Sequence, residues 1–388
     1  MKITFLLSSL DMSGGIRVLA TYANMLAADG HEVFAVVPAP RPIPWKRQVR
    51  NLLRTGRPNG VAPRHRSHFD SMPLQVHELE SHRPVVDADV PDADVLIATW
   101  WETAEWAIRL SASKGAKVYL IQHHETFENM PAARVKATYR LPFHKVVVCD
   151  WLLDLMRDEY KDDSVDLVCN AVDHRMFHAP ARARQPVPTV GFMYSVAEYK
   201  STPVAVSALR KLKAALPVLK VISFGMNAPQ GMEFMGPDLE FHLSPDQSVI
   251  RECYSRCDVW LTSSRSEGFN LPALEAMACR TPVVATRTGW PWKAVVDGAN
   301  GYLADVNDDE SLYRGLQKVL RSPDWETMSS NAYNTAKPLT WDDAYRQLLE
   351  SLHHACRRAQ RGEIAGRAME RVVARSAQQP AASSVSPS

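Results

Sequence analysis

The sequence predicts an α/β protein made of two units, each a parallel sheet covered by helices. Three observations carry this reading. Short apolar runs alternate with stretches whose apolar residues recur at helical spacing, a Pro/Arg/Ala-rich stretch at 176–188 interrupts the series, and the same alternation then resumes. A chain of 388 residues has room for two such units, and 46% hydrophobic against 23% charged residues supplies a core for each.

The first series opens with KITFLL, a short apolar run that reads as a buried first strand. Its length and the early Asp11 argue against a signal peptide. A Ser/Gly turn follows, then Ile16, Val18, Leu19, Tyr22, Ala23, Leu26 and Ala27 at helical spacing, then Gly30 and the strand EVFAVV. DADVLIATWW and AKVYLIQHH flank a helical stretch near 102–112, and KVVVC leads into the helix WLLDLMRDEY. In the second series PTVGFMY, LKVISFG, CDVWLT and TPVVAT are strands, with helices near 202–215, 246–256 and 272–279. The domain limits expected are 1–175 and 189–340 on either side of the 176–188 linker. A closing helix at 341–365 should pack back on the first domain, and 366–388 should form a disordered tail.

Charge and cysteines narrow the classes. Forty-five Lys and Arg against 43 Asp and Glu leave +2, too balanced for a protein held on nucleic acid by counterion release. The cysteines at 149, 169, 253, 257, 279 and 356 show no paired C-x-x-C spacing, so they read as thiols of a reducing, cytoplasmic compartment. No apolar run reaches 18 residues, so no membrane-spanning helix is expected. Arg41, Lys46, Arg47, Arg50, Arg54, Arg57, Arg64 and Arg66 form a basic excursion without acids. It is read either as a solvated loop or as a peripheral contact with an anionic inner-membrane surface or a phosphate-bearing acceptor.

The sharpest chemical signal is SSRSEGFNLPALEAMACRTP. Pro272 suits the first turn of a helix, which then begins near Leu271, with Glu267 in the loop before it and Glu275 one turn inside. A helix start offers amides and a partial positive charge to an anion such as a diphosphate. Two carboxylates beside a phosphate site would repel it unless they bind hydroxyls. Glu275 is therefore expected on a ribose and Glu267 opposite the group beyond the phosphates, which together indicate a sugar nucleotide.

This segment resembles the E-x7-E region of retaining glycosyltransferases of family four, whose GT-B fold sets two Rossmann-like domains across a cleft. Ser13-Gly14-Gly15 resembles the family's glycine loop, Asn170-Ala171-Val172-Asp173 its N-G-V-D, and Asp297-Gly298 with Asn300-Gly301 its D-G-x-N-G turn. The resemblance implies transfer of a sugar from a nucleotide diphosphate to a glycan or lipid-linked acceptor in cell-surface polysaccharide synthesis. Configuration would be retained by front-face attack, without cofactor or metal. It implies Glu267, Lys200 and His123 as catalytic residues. The donor would be bound by Gly14, Gly15, Ser195, Lys200, Ser264, Gly268, Phe269, Asn270, Leu271 and Glu275.

Ser195 stands where the family has an Arg, so a diphosphate contact is lost, and Arg265 or Arg17 could substitute. Adjacent His124 and Glu125 leave the register of His123 open by one. Trp100, Trp101 and Trp106 stay unassigned between core and sugar stacking. Asp87-Ala88-Asp89 and Asp92-Ala93-Asp94 match a divalent-ion string, but their Pro-broken context reads as solvated turns. A catalytically silent sugar-nucleotide binder and a GT-B epimerase are the competing readings. No residue of the 225–250 region favours one nucleobase over another.

Overall fold

The computed structural model describes residues 1–41, 66–70, 72, 74–128 and 130–366. The chain divides into two compact units. One comprises Met1–Val147, Leu155–Asp166 and the stretch from Tyr345 onward, the other Val148–Asp154 and Leu167–Ala344. The basic excursion is described only at Arg41, paired with Glu102 at 2.6 Å, and at Arg66. The rest of it lies outside the described residues, as does the tail after Gly366.

The first unit is built on a seven-stranded sheet. In chain order its strands are β1 (Lys2–Leu6), β2 (Glu32–Val37), β3 (Gln75–Glu78), β4 (Val95–Ala98), β5 (Ala116–Ile121), β6 (His144–Val147) and β7 (Val165–Leu167), arranged β3-β2-β1-β4-β5-β6-β7. The KITFL run is the central strand, pairing in parallel with β2 and β4 and buried from Ile3 to Leu6. Strands buried on both faces read as continuous apolar runs, which is why β1, β4 and β5 are conspicuous in the sequence. Helix α1 (Gly14–Ala28) starts at Ser13, whose Oγ accepts from the Ile16 amide at 3.4 Å. Helices α2 (Trp101–Ala107) and α3 (Ala132–Thr138) follow, and α4 (Asp150–Asp158) belongs to the second unit up to Asp154 and to the first from Leu155.

The second unit repeats the plan with β8 (Thr189–Met193), β9 (Lys220–Gly225), β10 (Leu239–Leu243), β11 (Val259–Thr262), β12 (Val283–Thr286) and β13 (Gly301–Ala304), ordered β10-β9-β8-β11-β12-β13. Its helices are α5 (Thr202–Ala215), α6 (Gln247–Ser255), α7 (Leu271–Ala278), α8 (Pro291–Ala294), α9 (Asp309–Leu320) and α10 (Trp325–Ala336). In both sheets the strand order reverses beside the first strand, the arrangement that puts ligands at the strands' carboxyl ends.

Four strands escaped the sequence reading. β3 (QVHE) and β10 (LEFHL) are edge strands with polar positions, mostly exposed in β3 and half-exposed in β10, β7 has three residues, and β13 (GYLA) was hidden in a turn motif. The 225–250 region, read as loops apart from its final helix, thus contains β10. Residues 176–188 also differ from a free linker. Arg182 bonds the Cys257 carbonyl, Arg184 bonds the Leu320 carbonyl at 2.7 Å, and Asp258 accepts from the Gln185 and Thr189 amides at 2.7 and 2.9 Å. The stretch is therefore bound along the second unit.

Helix α11 (Trp341–Gln360) clusters with the first unit from Tyr345 on. It buries Leu348, Leu352, Ala355 and Ala359, and Tyr345 bonds Asp29 at 2.7 Å. No helix among the described residues is long and apolar enough to cross a membrane.

Candidate functional site

In the second unit, the loops after β8 and β11 and the start of α7 converge. After β8 the chain closes on itself: Thr202 Oγ1 donates to the Ser195 carbonyl at 2.6 Å, and a 3₁₀ turn at Glu198–Lys200 ends on Ser201 in the left-handed region at φ 51°. Ser263, just past β11, donates from Oγ to the carbonyls of Lys200 and Ser201 at 3.0 and 3.1 Å, which joins the two loops. Lys200 Nζ then meets Glu267 Oε1 at 2.6 Å, and Ser264 Oγ donates to the same oxygen at 2.6 Å.

The acid side chain is 7% exposed and the lysine 17%, so this ion pair is largely withdrawn from water. Burial pushes the Lys200 ammonium down, but the Glu267 charge, with Tyr199 and the direct hydrogen bond, outweighs it and leaves the pKa above its ordinary value. The lysine stays a cation. Removing either partner would strand the other charge in the interior.

The loop from Glu267 to Asn270 is fixed by its neighbours. Gly268 accepts from Trp151 Nε1 at 2.7 Å and from Cys149 Sγ at 3.0 Å. Phe269 stacks on Trp290 with centroids 5.5 Å apart, and the Trp290 amide donates to the Phe269 carbonyl at 2.8 Å. Gly289, at φ +62°, lies so close that a Cβ there would sit 2.7 Å from Glu267 Cβ and from the Phe269 carbonyl oxygen. Asn270, at φ 83°, caps α7. Its Oδ1 accepts from the Ala273 amide at 3.3 Å while Nδ2 holds Thr262 Oγ1 at 3.0 Å. Pro272 follows in the first turn.

Glu275 is 4% exposed, and its Oε2 accepts from Tyr254 Oη at 2.8 Å. The structure thus brings Ser264, Glu267, Gly268, Phe269, Asn270 and Leu271 to the start of α7, with Lys200 against them and Glu275 one turn inside. Ser195 is engaged locally, its Oγ accepting from the Ala197 amide at 3.2 Å. Arg265 pairs with Glu198 at 2.8 Å, and its amide donates to the Tyr199 carbonyl at 2.7 Å. Arg17 belongs to α1 in the first unit.

The first unit has its own cluster, after β5. Gln122 Nε2 donates to the Gly15 carbonyl at 3.2 Å, in the first turn of α1 where Gly14 and Gly15 lie. His123 Nδ1 meets the His124 carbonyl at 2.9 Å and its ring tilts against Phe127. His124 packs against Tyr139, and its Nε2 bonds Tyr160 Oη at 2.8 Å. Burial lowers its pKa to about 4. Glu125 is 1% exposed and accepts from the Trp101 amide at 2.8 Å, and burial holds its carboxyl well above the usual carboxylate range. Of the two histidines, His124 is the one walled in by tyrosines. Trp101 and Trp106 are core residues, 3% and 7% exposed.

The acid strings are committed to local structure. Asp87 accepts from the Ser111 amide, Asp89 pairs with Arg83 at 2.6 and 2.7 Å, Asp92 takes Lys114, and Asp94 accepts from the Lys2 amide. Arg83 holds Asp89 below the usual carboxylate range.

Among the described residues, His144, Asp166 and His354 form the one group with metal-ligand spacing. Their chemistry argues against a metal. Arg358 Nη1 approaches His144 Nδ1 at 3.1 Å, so that nitrogen is the acceptor and Nε2 carries the proton toward Asp166 and Ser351 at 3.0 and 2.8 Å. A metal on Nε2 would need the opposite tautomer, its Nδ1 proton facing a guanidinium. The group instead fastens α11 to β6 and β7.

Sequence reasoning missed Tyr254, Ser263, Gly289 and Trp151. Only the Gly-Trp-Pro run around Gly289 carried a signal, since glycine before such a run marks backbone that needs positive φ.

Comparison with known proteins finds relatives over part of the chain. Residues 176–337 match the family described as Glycosyl transferases group 1. A D-inositol 3-phosphate glycosyltransferase of Stackebrandtia nassauensis is 30% identical over 234 residues, covering 53% of this chain and 52% of that protein. One from Frankia alni is 32% identical over 138 residues, 34% of each chain. The chain therefore spans between a third and about half of the length of these curated relatives. The crystal structure of Anabaena Alr3699/HepE in complex with UDP and glucose superposes with a TM-score of 0.69 at 16% identity, covering 91% of this chain and 100% of that one. The chain has the GT-B fold of that neighbour, and its residues 176–337 resemble the glycosyl transferases group 1 family.

Proposed function

We propose that this protein transfers a sugar from a nucleoside diphosphate to a glycan or lipid-linked acceptor, with retention of anomeric configuration and without a metal, in the synthesis of a cell-surface polysaccharide. The observation that carries the reading is the buried Lys200–Glu267 pair at the start of α7, with Glu275 one turn inside. The relatives' glycosyltransferase names and the UDP and glucose held by the Anabaena neighbour support it.

The chemical need in such a transfer is to stabilise charge as the diphosphate departs. Lys200 is kept cationic by Glu267, and an ammonium carries more N–H donors than the one Glu267 takes. The α7 N-terminus adds its dipole. Glu275 takes the ribose hydroxyls, and Glu267 orients the donor sugar. The acceptor proton leaves on the diphosphate oxygen. Segment 41–66 contributes the contact with an anionic membrane surface or acceptor. The test is nucleotide release from UDP-, GDP- and dTDP-sugars with a membrane lipid extract as acceptor, in EDTA, followed by NMR of the product's anomeric proton. Release only on adding manganese, or an inverted anomer, would refute the metal-free retaining reading.

A further inference from the structure

Tyr254 is a fully buried residue of α6 whose hydroxyl leaves the core to meet a carboxylate on another helix. Its ring lies edge-on to Trp260 at 4.5 Å and 72°, to Phe224 at 5.9 Å and to Phe177 at 5.9 Å. Its carbonyl is held by Thr281 Oγ1 at 2.7 Å and by the Cys257 amide at 3.2 Å. Ring and backbone are therefore fixed from several sides. The phenol O–H donates a hydrogen bond to Glu275 Oε2 at 2.8 Å, where both partners are nearly sealed from water.

A glutamate's terminal torsion is soft, so a carboxylate on a helix does not by itself hold one plane. A donor fixed at one oxygen sets that plane. A phenylalanine would fill the aromatic cluster equally well, so packing alone gives no reason for the hydroxyl.

We infer that Tyr254 is a positioning residue: it sets the plane of the Glu275 carboxylate so that the site selects nucleoside diphosphates bearing ribose hydroxyls. This rests on the reading of Glu275 as the ribose carboxylate. A site arranged around a hydroxyl loses a hydrogen bond to the carboxylate when the hydroxyl is absent, and preorganisation decides how steep the discrimination is.

The experiment is calorimetric titration of the full chain with UDP, ADP and GDP, each against its 2′,3′-dideoxy counterpart. The native chain should prefer the ribo form of the diphosphate it binds by about tenfold or more. Glu275→Gln should abolish the preference. Tyr254→Phe should cut it to about threefold or less while leaving affinity for the dideoxy form unchanged. In the Glu275→Gln background, Tyr254→Phe should have no further effect, a result that a purely structural role would not give.

A full preference retained in Tyr254→Phe but lost in Glu275→Gln overturns the positioning role and leaves the reading of Glu275 standing. No preference in the native chain overturns both. Should Tyr254→Phe weaken the fold, the ratio of ribo to dideoxy affinity within that variant still gives the comparison, because the folded fraction affects both ligands alike.

Discussion

Two clusters of ionisable side chains lie at the carboxyl ends of parallel strands, one in each unit, and they treat burial in opposite ways. Lys200 and Glu267 face each other at 2.6 Å, and the lysine's affinity for its proton rises although burial opposes it. After β5, the same physical pressure prevails. Glu125 keeps its proton well above the usual carboxylate range, and His124 loses its own down to about 4, both chiefly through burial. A counter-charge offsets burial in one cluster, and burial disfavours charge in the other. A charged pair beside a helix N-terminus suits a ligand carrying both phosphates and hydroxyls, whereas a neutral, tyrosine-walled cluster suits holding a loop in shape.

The largest expected effect breaks the charged cluster. Lys200→Met should weaken binding of a nucleoside diphosphate by about a hundredfold, since Glu267 is left as an unpaired buried anion facing the phosphates. Calorimetry checks this, and an unchanged affinity would detach Lys200 from the phosphate role. Gly289→Ala acts on the same cluster through the backbone. Positive φ and the 2.7 Å approach to Glu267 should cost about 2 kcal/mol in denaturant unfolding and displace the Glu267 loop.

The legibility of the two clusters also differs, for a physical reason. Glu267, Asn270, Pro272 and Glu275 fall within one short segment, so local rules of helix starts and capping place them before any tertiary contact is known. Tyr254 is 21 positions from Glu275 and meets it only because α6 packs beside α7, and its surroundings, CYSRCD, read as an ordinary buried helix turn. His123 and His124 alternate at a strand end, where local pattern is silent on which ring turns inward. The choice is made by Tyr139 and Tyr160, which come from later segments. The central strands were legible because burial on both faces makes them uniformly apolar. The edge strands β3 and β10 carry exposed or half-exposed polar residues and lack that signature.

Smaller effects sharpen the neutral cluster. The folded pKa of His124 lies below its ordinary 6.5, so the unfolded chain binds the extra proton and stability is lost as pH falls from 6.5 to about 4. His124→Gln removes this term. The native chain should therefore lose melting temperature relative to the variant across that window and hold a constant difference above it. Glu125→Gln should change stability least, by about 0.5 kcal/mol or less, since burial already disfavours the charged form and the amide oxygen can still accept from Trp101. A large loss in that variant would mean that Glu125 is ionised and the contrast between the clusters is false.

The most direct measurement is a crystal structure of the chain grown with whichever of UDP, GDP, ADP or dTDP raises its melting temperature most. The account predicts phosphate density against Lys200 Nζ and the N-terminal end of α7, with ribose hydroxyls on Glu275. An ordered nucleotide bound elsewhere, with Lys200, Glu267 and Glu275 keeping only their present partners, would contradict it.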